Sequence, residues 1–253
     1  NTTVANDFTV SGGTYGVGAN NLTVSGDTDI DGTLTISTGS LDVSGSFDAT
    51  GGNVTFTGAG MLELGGVVTS LGTFTEGTST VNYNESAAQT ILAETYYNLI
   101  LTGSSPLGKK SAAGNIVVSN DLTTSNSSTV FEFDNYDLTV SGATTNPGYI
   151  QGINAANLTF DGAVTNTGYL VINTGVVDIN GVYNATGGQT YFASAGTMQF
   201  SGDITSFGTL TEGSGTVKYD GTSSQTVIAD NYYNLTIENA STKTAGGNLN
   251  VDG

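Results

Sequence analysis

Three aspartates alternate with other residues near the start of the chain. Asp27, Asp29 and Asp31 are followed by a glycine, as at the opening of an oxygen-rich calcium loop. Thr38 stands where such a loop would carry its final glutamate, and the corresponding segment 163–168 has no acid. The pattern predicts at most one Ca²⁺ site. The other interpretation is a polar strand face that points to solvent.

Two tyrosine pairs offer a second kind of chemistry. Tyr96-Tyr97 and Tyr232-Tyr233 lie in closely similar sequence surroundings. Exposed aromatic rings can stack on sugars, which would suit an adhesin that binds cell-surface glycans. The alternative is structural, with one ring of each pair in the core and the other at the surface. Both interpretations remain open from the sequence.

Catalytic residues are scarce in this composition. The chain has no histidine and no cysteine, so it has no Ser-His-Asp or Cys-His site. Glu132, Asp134 and Asp137 could form a carboxylate pair, as in polysaccharide-active enzymes. A solvated strand face with Phe131 and Phe133 pointing inward is the preferred interpretation. We therefore predict no enzyme, and we interpret the lysine pair at 109–110 as a small exposed loop patch.

The charge balance narrows the possible partners. The formal net charge is −18, with only 4 basic residues. Binding nucleic acid requires clustered Lys and Arg, so this partner is not expected. No run approaches the roughly 20 apolar residues of a membrane span, so membrane insertion is not expected. An acidic surface rich in Thr and Asn suits an extracellular or cell-surface protein.

The chain repeats itself at a spacing of 136 residues. The stretch from Leu64 to Tyr83 returns as the stretch from Phe200 to Tyr219. The predicted internal repeats cover 1–114 and 115–253. Repetition on this scale indicates a modular architecture.

The local unit is a short strand that ends in Ser-Gly or Asp-Gly, as in Leu22-Thr-Val-Ser-Gly. Its alternation predicts one buried and one wet face, and its glycine is expected to supply left-handed backbone at a corner. The second repeat has gained one 20-residue unit near 138–157 without losing register. A solenoid accommodates an extra coil, because each coil contacts only its neighbours. We predict an all-β, parallel β-solenoid of about 12 coils, continuous over 1–253, with tandem β-sandwiches as the alternative. Ladders of Asn and Thr are expected at its corners.

The repeated motif resembles a known group of proteins. The run Gly77-Thr-Ser-Thr-Val-Asn-Tyr, followed by Gln89-Thr-Ile and Tyr96-Tyr-Asn-Leu, is similar to repeats of large secreted surface proteins of Bacteroidota-type bacteria. A twin of this run starts at Gly213. The resemblance covers most of the chain and implies a β-helical adhesin or surface array with no assigned chemistry.

Both ends of the chain stand at the same phase of the repeat. Thr2–Phe8 corresponds to 116–122, and 247–253 corresponds to 114–120. We expect edge strands at Thr2–Phe8 and Asn248–Asp252 to join copies head to tail, which gives a filament, sheath or array. The residues assigned to these assembly edges are Thr2, Val4, Asn6 and Phe8 at one end and Asn248, Leu249 and Val251 at the other.

Overall fold

Strands of two to five residues alternate with short corners in the computed structural model, which describes residues 1–103 and 108–253. The described residues contain no helix, and every pairing between them is parallel. Three strands make one coil, and the chain holds about 12 coils. The predicted parallel β-solenoid is confirmed. The β-sandwich alternative is wrong, because such sandwiches are built from antiparallel sheets.

The chain divides into two compact units, Asn1–Asn120 and Asp121–Gly253. The prediction of one continuous solenoid concerns how these units join, and it stays a prediction. The strands of unit 1 are β1 (Thr2–Val4), β2 (Phe8–Val10), β3 (Thr14–Gly18), β4 (Asn21–Val24), β5 (Thr28–Ile30), β6 (Thr33–Ile36), β7 (Ser40–Val43), β8 (Phe47–Asp48), β9 (Asn53–Phe56), β10 (Met61–Leu64), β11 (Val68–Ser70), β12 (Thr73–Thr75), β13 (Thr80–Tyr83), β14 (Gln89–Ile91), β15 (Thr95–Tyr96), β16 (Asn98–Leu101), β17 (Lys109–Ala112) and β18 (Ile116–Val118).

Unit 1 has one uninterrupted sheet and two interrupted faces. The order β1-β4-β7-β10-β13-β16 is uninterrupted. The second face contains β2-β5-β8-β11, after which β14 starts a new ladder with β17. The third contains β3-β6-β9-β12, after which β15 starts a new ladder with β18.

Unit 2 follows the same plan. Its strands are β19 (Leu122–Thr124), β20 (Val130–Phe133), β21 (Leu138–Val140), β22 (Thr144–Asn146), β23 (Tyr149–Gly152), β24 (Leu158–Phe160), β25 (Val164–Asn166), β26 (Tyr169–Ile172), β27 (Val176–Ile179), β28 (Tyr183–Asn184), β29 (Gln189–Phe192), β30 (Thr197–Phe200), β31 (Ile204–Ser206), β32 (Thr209–Thr211), β33 (Thr216–Tyr219), β34 (Gln225–Val227), β35 (Asn231–Tyr232), β36 (Asn234–Ile237), β37 (Lys243–Ala245) and β38 (Asn250–Val251).

The uninterrupted sheet of unit 2 has the order β21-β24-β27-β30-β33-β36. Its other two faces are β19-β22-β25-β28-β31 and β20-β23-β26-β29-β32, which are followed by the separate pairs β34-β37 and β35-β38. Leu138 pairs with Leu158, so the 20-residue segment between them makes one turn.

The core consists of ladders of inward apolar side chains. In unit 1, Leu22, Leu41 and Leu62 lie in register on successive coils and are at most 2% exposed. In unit 2, Phe160 and Ile179 pair in register and are 0% exposed. Full burial of each such side chain contributes about 1.5–3 kcal/mol. The residues that alternate along each strand of the sequence therefore face the core and the surface of the coils in turn.

A polar ladder runs inside unit 2. Thr124 Oγ1 donates to Asn146 Oδ1 at 2.7 Å, and Asn146 Nδ2 donates to Asn166 Oδ1 at 2.8 Å. Asn166 Nδ2 then donates to the Tyr183 hydroxyl at 3.3 Å. All four residues are buried. This Asn and Thr ladder lies at the inward ends of strands and not at the corners, where we expected such ladders. Its members satisfy one another's hydrogen bonds inside the core.

At two of the Ser-Gly and Asp-Gly corners, glycine is required because a Cβ has no room there, and not because the backbone has a positive φ. We expected left-handed backbone at the Ser-Gly and Asp-Gly corners, but Gly45 and Gly162 are absent from the positive-φ glycines. A Cβ at Gly45 would lie 2.3 Å from the Gly26 carbonyl oxygen, and one at Gly162 would lie 2.1 Å from the Gly142 oxygen. The expectation was wrong for these corners. Glycine is needed because successive coils approach too closely for a side chain.

The outward faces of the two units differ at equivalent positions. Unit 1 presents Thr33 on β6 and Thr55 on β9, where unit 2 has Tyr169 on β26 and Tyr191 on β29. Tyr169 stacks on Tyr149 with parallel rings 4.3 Å apart. The inward positions are mostly apolar in both units, although the buried Ile30 and Val54 of unit 1 are replaced by the buried Asn166 and Thr190 in unit 2. The surface chemistry therefore varies on a largely apolar interior.

Candidate functional site: open coil edges and ladder breaks

The first coil of unit 1 has an open edge. Within the described residues, β1, β2 and β3 pair on one side only, with β4, β5 and β6. Their other side presents backbone N–H and C=O groups without a neighbouring strand. Such an edge is a template for pairing with another strand. We call it the N-edge.

The last coil of unit 2 has a matching open edge, formed by β36, β37 and β38. In the described part of the chain these strands pair only with β33, β34 and β35. We call it the C-edge.

Core-type side chains are exposed at the C-edge. Ile237, Leu249 and Val251 are 48%, 37% and 50% exposed. Their counterparts in unit 1 are Leu101, Ile116 and Val118, which are at most 1% exposed. A further coil stacked on the C-edge would bury them in the same way.

The structure places most of the predicted assembly residues at these edges, with a different local conformation. Thr2 and Val4 lie in β1 and Phe8 lies in β2, while Asn6 lies in the corner between these strands. The prediction of a single strand over Thr2–Phe8 was wrong. The Asn6 carbonyl oxygen accepts from the Gly26 amide at 3.3 Å, and this contact holds the corner on the next coil.

The C-terminal strand is also shorter than expected. Val251 lies in β38, whereas Asn248 and Leu249 precede it. The prediction of a strand over Asn248–Asp252 was therefore wrong at both of its ends. The exposed Leu249 and Val251 side chains nevertheless belong to the same final turn.

Comparison of the chain with family models, with curated proteins and with solved structures gives no match. No helix in the described residues is long and apolar enough to cross a membrane.

The three predicted calcium ligands lie on the solvent side of one strand region. Asp27, Asp29 and Asp31 are exposed, while Thr28 and Ile30 between them are buried. Asp27 Oδ1 accepts from the Ser46 amide at 2.8 Å, and this hydrogen bond lowers the Asp27 pKa. The described residues contain no group of three acidic or other ligating side chains that could hold a metal ion. The outward polar face is thus observed, and the calcium site stays a prediction.

The tyrosine pairs divide between core and surface. Tyr96 and Tyr232 are 0% exposed, so glycan stacking on these two rings, one of our predictions, was wrong. Inward strand positions bury them in the core. Tyr97 is half-buried and Tyr233 is 39% exposed. Only these two rings of the predicted glycan-stacking set are accessible.

The acidic run in β20 follows the preferred interpretation. Phe131 and Phe133 are 0% exposed, with ring centroids 4.2 Å apart. Glu132 Oε1 accepts from Gln151 Nε2 on the next coil at 2.7 Å, and Asp137 Oδ1 accepts from the Asn157 amide at 3.0 Å. These carboxylates take part in hydrogen bonds between coils.

Among the described residues, each unit contains one ladder break, where two of its three faces stop pairing between successive coils. In unit 1 the ladder break separates β11 from β14 and β12 from β15. In unit 2 it separates β31 from β34 and β32 from β35. The uninterrupted sheet still joins β10 to β13 and β30 to β33. The ladder breaks occupy the same place in both repeats.

Crevices open at the ladder breaks. One of about 580 Å³ lies between β11 and β14 and is lined by Val67, Ala87, Ala88 and Leu92, among others. Another of about 390 Å³ lies between β32 and β35. Long corners contribute to the separation. Five residues, 84–88, join β13 to β14, whereas three residues, 65–67, join β10 to β11.

Glutamine side chains replace part of the missing ladder. Gln89 Nε2 donates to the carbonyl oxygens of Leu64 and Gly66 at 2.8 and 2.7 Å. Gln225 Nε2 makes the same contacts with Phe200 and Gly202 at 3.0 and 2.7 Å. One side-chain amide thus bridges the two coils in each unit.

Tyrosine hydroxyls satisfy the backbone at the next corner. The hydroxyls of Tyr83 and Tyr96 lie 2.8 Å apart. Tyr83 accepts from the Leu92 amide, and Tyr96 donates to the Leu92 carbonyl oxygen at 3.0 Å. Tyr219 and Tyr232 repeat this arrangement. Burial raises the pKa of Tyr83 and Tyr96 through desolvation.

A buried lysine contacts the glutamine that bridges the ladder break of unit 1. We expected an exposed patch at Lys109 and Lys110, but Lys110 is 0% exposed, so that interpretation was wrong for Lys110. Its Nζ donates to the Glu85 carbonyl oxygen at 2.6 Å and to Gln89 Oε1 at 3.0 Å. Desolvation lowers the Lys110 pKa to about 8. Sequence reasoning missed this contact, although the repetition of Gln89 as Gln225 was visible.

Proposed function

We propose that this chain is an extracellular structural protein whose coils assemble head to tail with further copies into a filament, sheath or array. The N-edge of one copy would pair with the C-edge of another. The resemblance to surface proteins of Bacteroidota-type bacteria supports a location at the cell surface and belongs to the same proposal.

The exposure of Ile237, Leu249 and Val251 carries this proposal. These side chains have the apolar character of their buried counterparts, and they line a strand edge that lacks a neighbour in the described chain. Stacking another coil would satisfy the backbone and bury the side chains in one step. Because the two edges differ, the contact is heterologous, and repeating it gives an open polymer.

Sedimentation and electron microscopy of the purified 1–253 chain test the proposal. We expect concentration-dependent rods, which become more abundant as salt screens the net charge of −18. The measurement is repeated with calcium, because Asp27, Asp29 and Asp31 lie in the second coil of unit 1. Monomers at every protein, salt and calcium concentration would overturn the proposal.

A charged side chain at the C-edge should prevent assembly. We expect Val251→Lys to abolish rods, because a lysine there would be desolvated beneath the next coil. Val182→Lys is the matched control, since Val182 is 46% exposed but lies away from both edges. Equal loss of rods in both variants would contradict the assignment of the C-edge.

Binding on a glycan array that is lost in Tyr233→Ala would favour an adhesin.

A further inference from the structure

The two ladder breaks share one architecture. Each interrupts two faces of a unit at the same point of the repeat and leaves the third sheet uninterrupted. A random irregularity would not recur with the same Gln and Tyr contacts 136 residues later. The feature therefore belongs to the design of the repeat.

Hydrogen bonding across each ladder break is sparse. Strand pairing supplies several backbone hydrogen bonds per coil elsewhere, whereas here Gln89 or Gln225 supplies two side-chain contacts. Aromatic side chains still meet across the break, Phe74 with Tyr96 at 6.0 Å and Phe207 with Tyr232 at 6.2 Å, whereas the outer surface there is open at the crevices. The link between the two coils is weak on two faces.

Unsatisfied polar atoms lie next to both ladder breaks. Asn84 Oδ1 in unit 1 and Glu212 Oε2 in unit 2 are buried without a hydrogen-bond partner among the described residues. A buried polar atom without a partner is costly, and opening to water removes that cost. Separation of the coils at these two levels would therefore give both atoms water as a partner.

We propose that each unit opens first at its ladder break, with the uninterrupted sheet acting as the hinge. In unit 1 the hinge is β10-β13-β16, and in unit 2 it is β30-β33-β36. Opening separates β11 and β12 from β14 and β15, or their counterparts in unit 2, and leaves these four strands as new edges that fray, while the strand pairs farther from the break stay formed. Local opening of this kind costs less free energy than global unfolding. The inference is independent of the proposed assembly.

Hydrogen exchange read by mass spectrometry tests the inference on the full chain. We expect amides of β11, β12, β14 and β15 to exchange at least tenfold faster than those of β8, β9, β10 and β13. The same ratio is expected for β31, β32, β34 and β35 relative to β28, β29, β30 and β33. Equal protection across each unit, or exchange of all its strands in one event, would overturn the inference.

A pair of glutamine variants separates local opening from general destabilisation. Gln89→Ala removes the contacts to Leu64 and Gly66 and should raise the exchange ratio severalfold in unit 1 only. Gln189→Ala is the control, because Gln189 lies on β29, which is paired on both sides, and contacts the Tyr169 hydroxyl at 2.7 Å. If both variants accelerate exchange uniformly, the glutamine does not hold the ladder break, and the inference fails.

Discussion

A lysine can lie inside a protein when its N–H donors have acceptors and when its ammonium group can lose a proton. Lys110 meets the first condition through the Glu85 carbonyl oxygen and Gln89 Oε1. It meets the second because desolvation lowers its pKa to about 8. The site is therefore sensitive to pH in a range where surface lysines remain charged.

Stability should rise with pH in a window set by Lys110. Its pKa is about 8 when folded and 10.5 at the ordinary value, so between these values the unfolded chain binds more protons. The free energy of unfolding then increases with pH. We expect Lys110→Met to flatten this rise in urea unfolding curves.

The rise of the free energy of unfolding with pH ends at about pH 10. Buried tyrosines such as Tyr183, whose pKa is raised to about 12 by desolvation, then lose protons first in the unfolded chain and lower the stability. Lys218→Met is the control, because Lys218 pairs with Glu238 at the surface at 2.8 Å. Wild type and Lys110→Met with the same pH dependence below about pH 9.5 would contradict the role of Lys110.

At the scale of the strand and its corner, close approach between coils is the main constraint. Gly45 and Gly12 end the similar segments Leu41-Asp-Val-Ser-Gly and Phe8-Thr-Val-Ser-Gly. A Cβ at Gly45 meets the preceding coil, whereas a Cβ at Gly12 meets nothing within 4 Å. The two sites thus separate the backbone effect of alanine from its bulk.

Gly45→Ala should destabilise the chain by about 2 kcal/mol or more, because the backbone of the preceding coil must shift. Gly12→Ala should be neutral or slightly stabilising, since alanine restricts the unfolded chain. Thermal or urea unfolding of dilute, unassembled protein measures both. Similar losses in the two variants would show that contact between coils is not the cause.

The sequence predicts the strands well because inward and outward positions alternate without exception over segments such as Val130–Phe133. It predicts the ladder breaks poorly. They depend on the register that brings Gln89 beside Lys110, and on a five-residue corner at 84–88. The charge of Lys110 indicates exposure, and only the fold shows that the Glu85 carbonyl oxygen and Gln89 Oε1 accept from its ammonium group. The same limitation applies to Tyr96 and Tyr97, whose identical side chains carry no sign of which one faces inward.

At the scale of the whole molecule, the coil is the unit of construction. Leu138 and Leu158 lie in register one turn apart, so the segment between them contributes one layer of unit 2. Its neighbours above and below have the same strand positions. This layer can therefore be removed without changing which face each later strand occupies.

Deletion of residues 138–157 should leave a folded chain with one coil fewer. We expect the circular dichroism spectrum and cooperative unfolding to be retained, because each remaining coil still meets a complementary one. Deletion of 138–147 is the control, since half a coil moves every later strand to the wrong face and should unfold unit 2. Loss of structure in both deletions would contradict the modular interpretation.

The contrast between Thr33 and Thr55 in unit 1 and Tyr169 and Tyr191 in unit 2 has a wider consequence. Residues that fold the chain and residues that meet the environment alternate along the same strand, so they can evolve almost independently. The inward residues hold each coil together, whereas the outward residues can change without loss of packing. A lineage that retains the inward residues can acquire a new surface without having to acquire a new fold.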